Sequence, residues 1–214
     1  MTPARRLDPS ALRLIAVTDS LREGIDDLAR RAAAAVAGGA TMLQLRLPDE
    51  SPRLLVEAAR ALRAAAPSVP LLVCDRADVA LAADADGVHL ASDEITPAAL
   101  RLAVPSGFVI GTSVCGEEEI ERTAGADYAA IGPVFATASR SAGSGFELGV
   151  PRFAELARAC PVPAVAVGGI SPANAAALMD AGAKGVTVIS ALFGASDPTQ
   201  AARALRAVLD ASGR

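Results

Sequence analysis

One rhythm constrains this 214-residue chain more than any other feature. A short apolar, β-branched run is followed by a longer Ala-, Leu- and Arg-rich stretch of helical period, and the pair recurs eight times. The runs fall at Leu14–Thr18, Met42–Arg46, Leu71–Asp75, Gly87–Leu90, Phe108–Thr112, Tyr128–Ile131, Ala164–Val167 and Gly185–Ile189. They are apolar throughout rather than alternating, as strands buried on both faces of a parallel sheet must be. The intervening segments predict helices over Ile25–Val36, Pro52–Ala65, Ala77–Ala82, Pro97–Ala103, Glu117–Thr123, Val150–Ala159, Pro172–Ala181 and Thr199–Leu209. Thr96-Pro97, Ser171-Pro172 and Asp197-Pro198 carry the N-cap and N1 signals of helix starts. Gly38-Gly39, Gly125 and Gly182 stand where helices should end and the chain turn into the next strand. Eight such units in about 200 residues describe an α/β protein, a compact (β/α)8 TIM barrel. A doubly wound sheet fits less well, because no GxGxxG follows the first strand.

Composition narrows the function. With 52% hydrophobic and 21% charged residues, the sequence reads as one folded domain over residues 1–214. A net charge of −4 gives no basic footprint for nucleic acid, and 3% aromatics give no platform for stacked bases. The single histidine, His89, excludes a multi-histidine metal centre. Cys74, Cys115 and Cys160 are too dispersed for a metal clip or a disulfide framework, and read as small buried residues in a reducing compartment. Arg13 and Asp19 interrupt the N-terminal apolar stretch, which does not read as a signal peptide. No segment reaches the ~20 uninterrupted apolar residues of a membrane span, so the expected location is the cytoplasm.

A barrel of this kind places its chemistry at the C-terminal ends of the strands. There the sequence puts Gln44-Leu45-Arg46, Cys74-Asp75-Arg76, His89 through Glu94, Thr112-Ser113, Gly132 through Arg140, Gly168-Gly169 and Ile189-Ser190. The glycine turns after the seventh and eighth strands let backbone N–H groups approach a ligand in front of a helix start, which suits phosphate. Asp75 and the Asp93/Glu94 pair could share Mg²⁺, or could serve as an ion pair and a helix-capping charge. Arg46 and Arg140 have the forked donors that suit pyrophosphate, or a rim ion pair. His89 reads as a hydrogen-bonded structural residue or a general base. No Ser-His-Asp or Cys-His nucleophile pattern involves Ser113 or Cys115.

Taken in order, QLR (44–46), CDRADVALAADADGVHL (74–90), GTS (111–113), GADYAAIGPVFATASR (125–140) and VAVGGISPANAAALMDAGAKGVTVISAL (165–192) resemble the thiamine-phosphate synthase family and its thiazole tautomerase relatives. The resemblance runs from Val17-Thr18-Asp19 to Ile189-Ser190-Ala191. It implies a transferase that condenses hydroxymethylpyrimidine pyrophosphate with hydroxyethylthiazole phosphate, using Mg²⁺ and releasing pyrophosphate. It implies pyrimidine contact for Gln44 and pyrophosphate contacts for Arg46, Ser113 and Arg140. Asp75 and Glu94 would ligate the metal, while Thr137, Ser139, Gly169, Ile189 and Ser190 would hold the thiazole phosphate. Its partners would be these phosphorylated small molecules, with no nucleic acid or membrane, and a homo-oligomer is compatible with it.

Several positions depart from the family pattern. The Gln-Leu-Arg-Glu-Lys motif reads Gln44-Leu45-Arg46-Leu47-Pro48, Asn-Asp reads Cys74-Asp75, Gln-Glu-Asp reads Ser92-Asp93-Glu94, and Arg140 replaces a lysine. The thiazole-phosphate half is nearly intact while the pyrophosphate half has lost donors. Two alternatives therefore stand beside the synthase: a tautomerase-like enzyme, although Pro133 occupies the place of its acid–base histidine, and a non-catalytic thiazole-phosphate-binding barrel.

Overall fold

A computed structural model describes residues 7–137 and 146–212. Eight parallel strands, β1 (Leu14–Val17), β2 (Met42–Leu45), β3 (Leu71–Cys74), β4 (Gly87–Leu90), β5 (Val109–Val114), β6 (Tyr128–Ile131), β7 (Ala164–Val167) and β8 (Val186–Val188), pair in chain order into a closed barrel. Closure is made by β8 against β1, with Leu14 opposite Val186 and Ile15 opposite Thr187. The helices are α1 (Ile25–Ala37), α2 (Pro52–Ala65), α3 (Ala77–Ala82), α4 (Pro97–Arg101), α5 (Gly149–Ala159), α6 (Ala175–Asp180), α7 (Ser190–Phe193) and α8 (Pro198–Ala211).

Alternation along each strand divides the apolar residues between two cores. Leu14, Ala16, Leu43 and Leu45 point outward and pack with Leu28, Ala32, Leu55, Ala58 and Leu62 of the helices. Ile15, Val17, Met42, Leu72, Tyr128 and Val165 point inward and fill the barrel. Full burial of each Val, Leu, Ile or Met side chain among them is worth about 1.5–3 kcal/mol, so both faces of the strands contribute. The continuous apolar runs of the sequence follow directly from this double burial.

The ends of the elements follow side-chain chemistry. Ser51, Thr96 and Asp197 each cap a helix through the N–H three residues on (3.3, 3.3 and 3.1 Å), and each is followed by proline at N1. At the N-terminal end of the barrel a fastening is used twice. Asp86 Oδ2 accepts the Leu71 N–H (2.8 Å) and the Arg63 guanidinium of α2, and Asp127 Oδ2 accepts the Ile110 N–H (2.7 Å) and Arg101 of α4 (2.8 Å). In both, an aspartate just before an even-numbered strand ties the strand before it to the helix that leads into that earlier strand.

Three departures from the sequence reading have local causes. Residues 117–123 form two 3₁₀ turns rather than one α-helix, because Glu119 folds back to accept the N–H groups of Cys115 and Gly116. The helix expected from Pro172 starts at Ala175 instead. Asn174 accepts the Ser171 N–H (2.9 Å) and donates to the Gly169 carbonyl (3.0 Å), a local pairing that competes with helix formation. The short α7 follows β8 directly and was not expected. Among the described residues no helix is long and apolar enough to cross a membrane.

Candidate active site

At the C-terminal rim the barrel opens into a cavity of about 230 Å³, lined among others by Gln44, Arg46, Cys74, Asp75, His89, Ser113, Pro133 and Thr137. The strand ends named from the sequence therefore converge on one space. Beside it lies a recess of about 30 Å³ bounded by Gly168, Gly169, Ser190 and, shared with the cavity, Thr137, Val167, Thr187 and Ile189.

A chain of hydrogen bonds crosses the floor. Gln44 Nε2 donates to the Tyr128 hydroxyl (2.6 Å), the hydroxyl lies 3.0 Å from His89 Nδ1, and His89 Nε2 lies 3.1 Å from Ser113 Oγ. With its oxygen accepting from Gln44, Tyr128 directs its proton to Nδ1. The Nε2–H of His89 then donates to Ser113, whose own proton is left for the cavity. Burial pushes the His89 pKa down to about 4 and holds the Tyr128 phenol well above its ordinary value, so both stay neutral at pH 7. Gly111 makes the arrangement fit: a Cβ there would lie 2.3 Å from the Tyr128 ring and 2.5 Å from its hydroxyl.

The rim above β2 and β3 carries charge. Asp75 follows β3 in the left-handed region at φ 62°. Its N–H donates to the His89 carbonyl (2.8 Å) and its Oδ1 accepts the Ala91 N–H (2.7 Å), which fixes the side chain against the end of β4. Desolvation by the crowded strand ends raises the Asp75 pKa, the Ala91 N–H and Arg46 oppose this, and the like charge of Asp93 adds to it. Arg46, anchored by its N–H to Thr18 Oγ1 (2.8 Å), makes no ion pair among the described residues and influences both Asp75 and Cys74. Desolvation first, and then the Asp75 charge, pushes the Cys74 thiol up to about 12, so it remains a thiol. None of the cysteines forms a disulfide.

Glycine shapes the recess. Gly168 has φ 99°, and a Cβ on it would lie 2.6 Å from Pro133; Gly169 has φ 62°, and a Cβ would lie 2.4 Å from the Ala136 carbonyl oxygen. Only glycine fits that turn, and it leaves the backbone accessible in front of Ser190, the first residue of α7.

Gln44, Arg46, Cys74, Asp75 and Ser113 thus meet at the cavity, and Thr137 joins them to Gly169, Ile189 and Ser190 at the recess. Asp93 and Glu94 are both exposed and neither lines the cavity; of the two, it is Asp93 whose like charge acts on Asp75. Pro48 is exposed beyond β2 and Ser92 is half-buried beside Asp93. Ser139 and Arg140 lie outside the described residues. Among those described, no three His, Cys, Asp or Glu side chains converge as a complete metal site. The sequence reading missed Tyr128 and Thr187 as site residues. A lone tyrosine at the start of an aliphatic strand was the available signal for the first.

Comparison with known proteins decides what this rim belongs to. The sequence profile described as thiamine monophosphate synthase matches residues 14–192. The chain belongs to the thiamine-phosphate synthase family. Curated family members similar to it include the thiamine-phosphate synthase of Xanthobacter autotrophicus, 43% identical over 94% of this chain and 97% of the relative. The Methanoculleus marisnigri thiamine-phosphate synthase is 46% identical over 88% and 90%, respectively. Among solved structures, thiamine phosphate pyrophosphorylase from Pyrococcus furiosus superposes with a TM-score of 0.84 at 32% identity, covering 95% of this chain and 98% of its own. A 3-hexulose-6-phosphate synthase, at 24% identity and TM-score 0.71, shares the fold alone. The thiamine-phosphate synthase family membership spans all eight strands, so the cavity and recess both lie within the matched region.

Proposed function

We propose that the protein is a working thiamine-phosphate synthase, joining hydroxymethylpyrimidine pyrophosphate to hydroxyethylthiazole phosphate. The observation that carries this reading is the pairing of two unlike spaces at one rim: a cavity with Arg46, Asp75 and Ser113, opening beside a glycine-lined recess. The first suits a pyrophosphate leaving group and the second a phosphate monoester.

The reaction breaks the bond between the pyrimidine methylene carbon and the pyrophosphate oxygen, with the electron pair leaving on oxygen. The thiazole nitrogen then gives its lone pair to that carbon, and the ring becomes a thiazolium. No proton has to move. That agrees with a site whose histidine is neutral and committed at both nitrogens. What such chemistry needs is positive charge and donors at the departing group, and two rings held in line. Arg46 supplies the charge, Ser113 offers the leaving group a hydrogen bond through the O–H that the floor chain leaves free, and Gln44 offers its amide to the pyrimidine. Gly169 and Ser190 hold the far phosphate, with Thr137. Arg140 and Ser139, named for the same phosphates from the sequence, belong to this proposal by resemblance.

Mg²⁺ fits the donor set. Asp75 and Asp93 are like charges whose repulsion a hard divalent cation would relieve, and they are oxygen donors. We assign them as the ligands, Asp93 in place of the expected Glu94, with the remaining positions left to phosphate oxygens and water. When bound, the ion neutralises charge developing on pyrophosphate. The reaction's setting would be the cytoplasm.

The tautomerase reading loses support from Pro133, a buried cavity residue with no group that ionises. The test is direct: purified protein with both substrates and Mg²⁺ should release one pyrophosphate per thiamine phosphate formed. Binding of thiazole phosphate with no product would favour the non-catalytic barrel instead.

A further inference from the structure

Among the described residues, a single buried side-chain polar atom lacks a hydrogen-bond partner: Oγ1 of Thr187 on β8. The residue is 3% exposed, stands opposite Ile15 of β1 and Val167 of β7, and so has aliphatic strand neighbours. A hydroxyl in such surroundings destabilises the fold unless something else satisfies it. Its position indicates what does. Thr187 belongs to the wall common to cavity and recess, with Thr137, Val167 and Ile189; Gln44 and His89 border only the cavity, and Gly169 and Ser190 only the recess. A substrate whose phosphate sits in the recess and whose ring nitrogen faces the cavity has to lay the arm between them along that shared wall.

We propose that Thr187 is a further binding and positioning residue for the nucleophilic substrate, its hydroxyl donating to the ester oxygen that joins the phosphate to the ethyl arm and leaving the ring nitrogen free to attack. The assignment rests on the synthase reading and deepens it. One staggered step about Cα–Cβ exchanges hydroxyl and methyl, so Thr187 can turn its hydroxyl to the arm without moving the strand. Val167 and Ile189 complete the slot with apolar surface, which leaves Thr187 and Thr137 to hold the polar end of the arm.

Thr187→Val keeps the β-branched shape and removes the hydroxyl; Thr187→Ser keeps the hydroxyl. Calorimetric titration with hydroxyethylthiazole phosphate should find Thr187→Val binding about tenfold more weakly than wild type, and Thr187→Ser within about twofold, for one neutral hydrogen bond. In turnover, KM for the thiazole phosphate should rise by the same factor while KM for the pyrimidine pyrophosphate stays put. Without ligand, Thr187→Val should melt at or above the wild-type temperature. Equal affinity of wild type and Thr187→Val, an equal rise in both KM values, or a lower melting temperature overturns the assignment. Thiazole phosphate binding that depends on Thr187 without any thiamine phosphate formed overturns the synthase reading and leaves the contact standing.

Discussion

Tyr128 sits between two groups that would otherwise be buried and unpaired, the amide of Gln44 and Nδ1 of His89. Its hydroxyl therefore fixes which nitrogen of the histidine carries the proton, and through it which way the Ser113 proton points. Tyr128→Phe should cost about 1–3 kcal/mol of stability, because it strands two polar partners while removing one atom. Nitrogen NMR of His89 should show Nε2 protonated in wild type, and a mixture of tautomers in the variant. The same burial makes the fold acid-sensitive. His89 takes its proton near pH 4 when folded, against about 6.5 in the unfolded chain. Between those values the unfolded state binds protons first, so stability should be full above pH 6.5 and fall by up to about 3 kcal/mol on descent to pH 4. Chemical denaturation at a series of pH values should find that fall, and His89→Gln should flatten it.

Elements place these side chains, and the fastenings at the opposite end of the barrel hold the elements. Asp127→Ala leaves the Ile110 N–H and the Arg101 guanidinium without their acceptor. It should destabilise by about 1.5–3 kcal/mol, the range for hydrogen bonds to charged groups, with kcat/KM of the folded fraction unchanged. Gly169→Ala acts at the other end: its methyl would meet the Ala136 carbonyl at φ 62°, so KM for thiazole phosphate should rise at least tenfold. At this scale the sequence was largely legible. Strands buried on both faces cannot hide their apolar runs, and all eight appear within a residue or so of the boundaries read for most of them, β5 running on to Val114. What the runs do not carry is side-chain traffic at their ends. Glu119 and Asn174 reshaped two helix starts by bonding backbone groups three or four residues away. The rim residues were legible because strand ends face the rim. Tyr128 and Thr187 were not, since reading them needs the register that decides which alternate residues face inward.

For the molecule as a whole, the β1–α1 loop and α7 are joined under the recess by Arg31. Its buried guanidinium bonds Asp27 and Asp19 (2.7 Å each), the Ser20 carbonyl (2.8 Å) and the Phe193 carbonyl (3.3 Å), over the Phe193 ring. That brace fixes the end of α7 whose first residue borders the recess. Charge on the other side of the rim is left open for ligands, and it should respond to them. Mg²⁺ with pyrophosphate at a hundredfold excess over Kd should raise Tm by about 5–10 °C, as binding to the folded state alone requires. Asp75→Asn and Asp93→Asn should lose most of that shift in a thermal scan, and Glu94→Gln should keep it.

One division of labour organises the proposed site: pyrophosphate beside Arg46 and Asp75, thiazole phosphate before Gly169 and Ser190. A crystal structure of the complex with thiamine phosphate, pyrophosphate and Mg²⁺ measures it in one step. Pyrophosphate oxygens within hydrogen-bond distance of Arg46 and Ser113, Mg²⁺ on Asp75, and the thiamine phosphate group in the glycine-lined recess are the expected result. Pyrophosphate bound away from Arg46, or a product phosphate outside the recess, would contradict it.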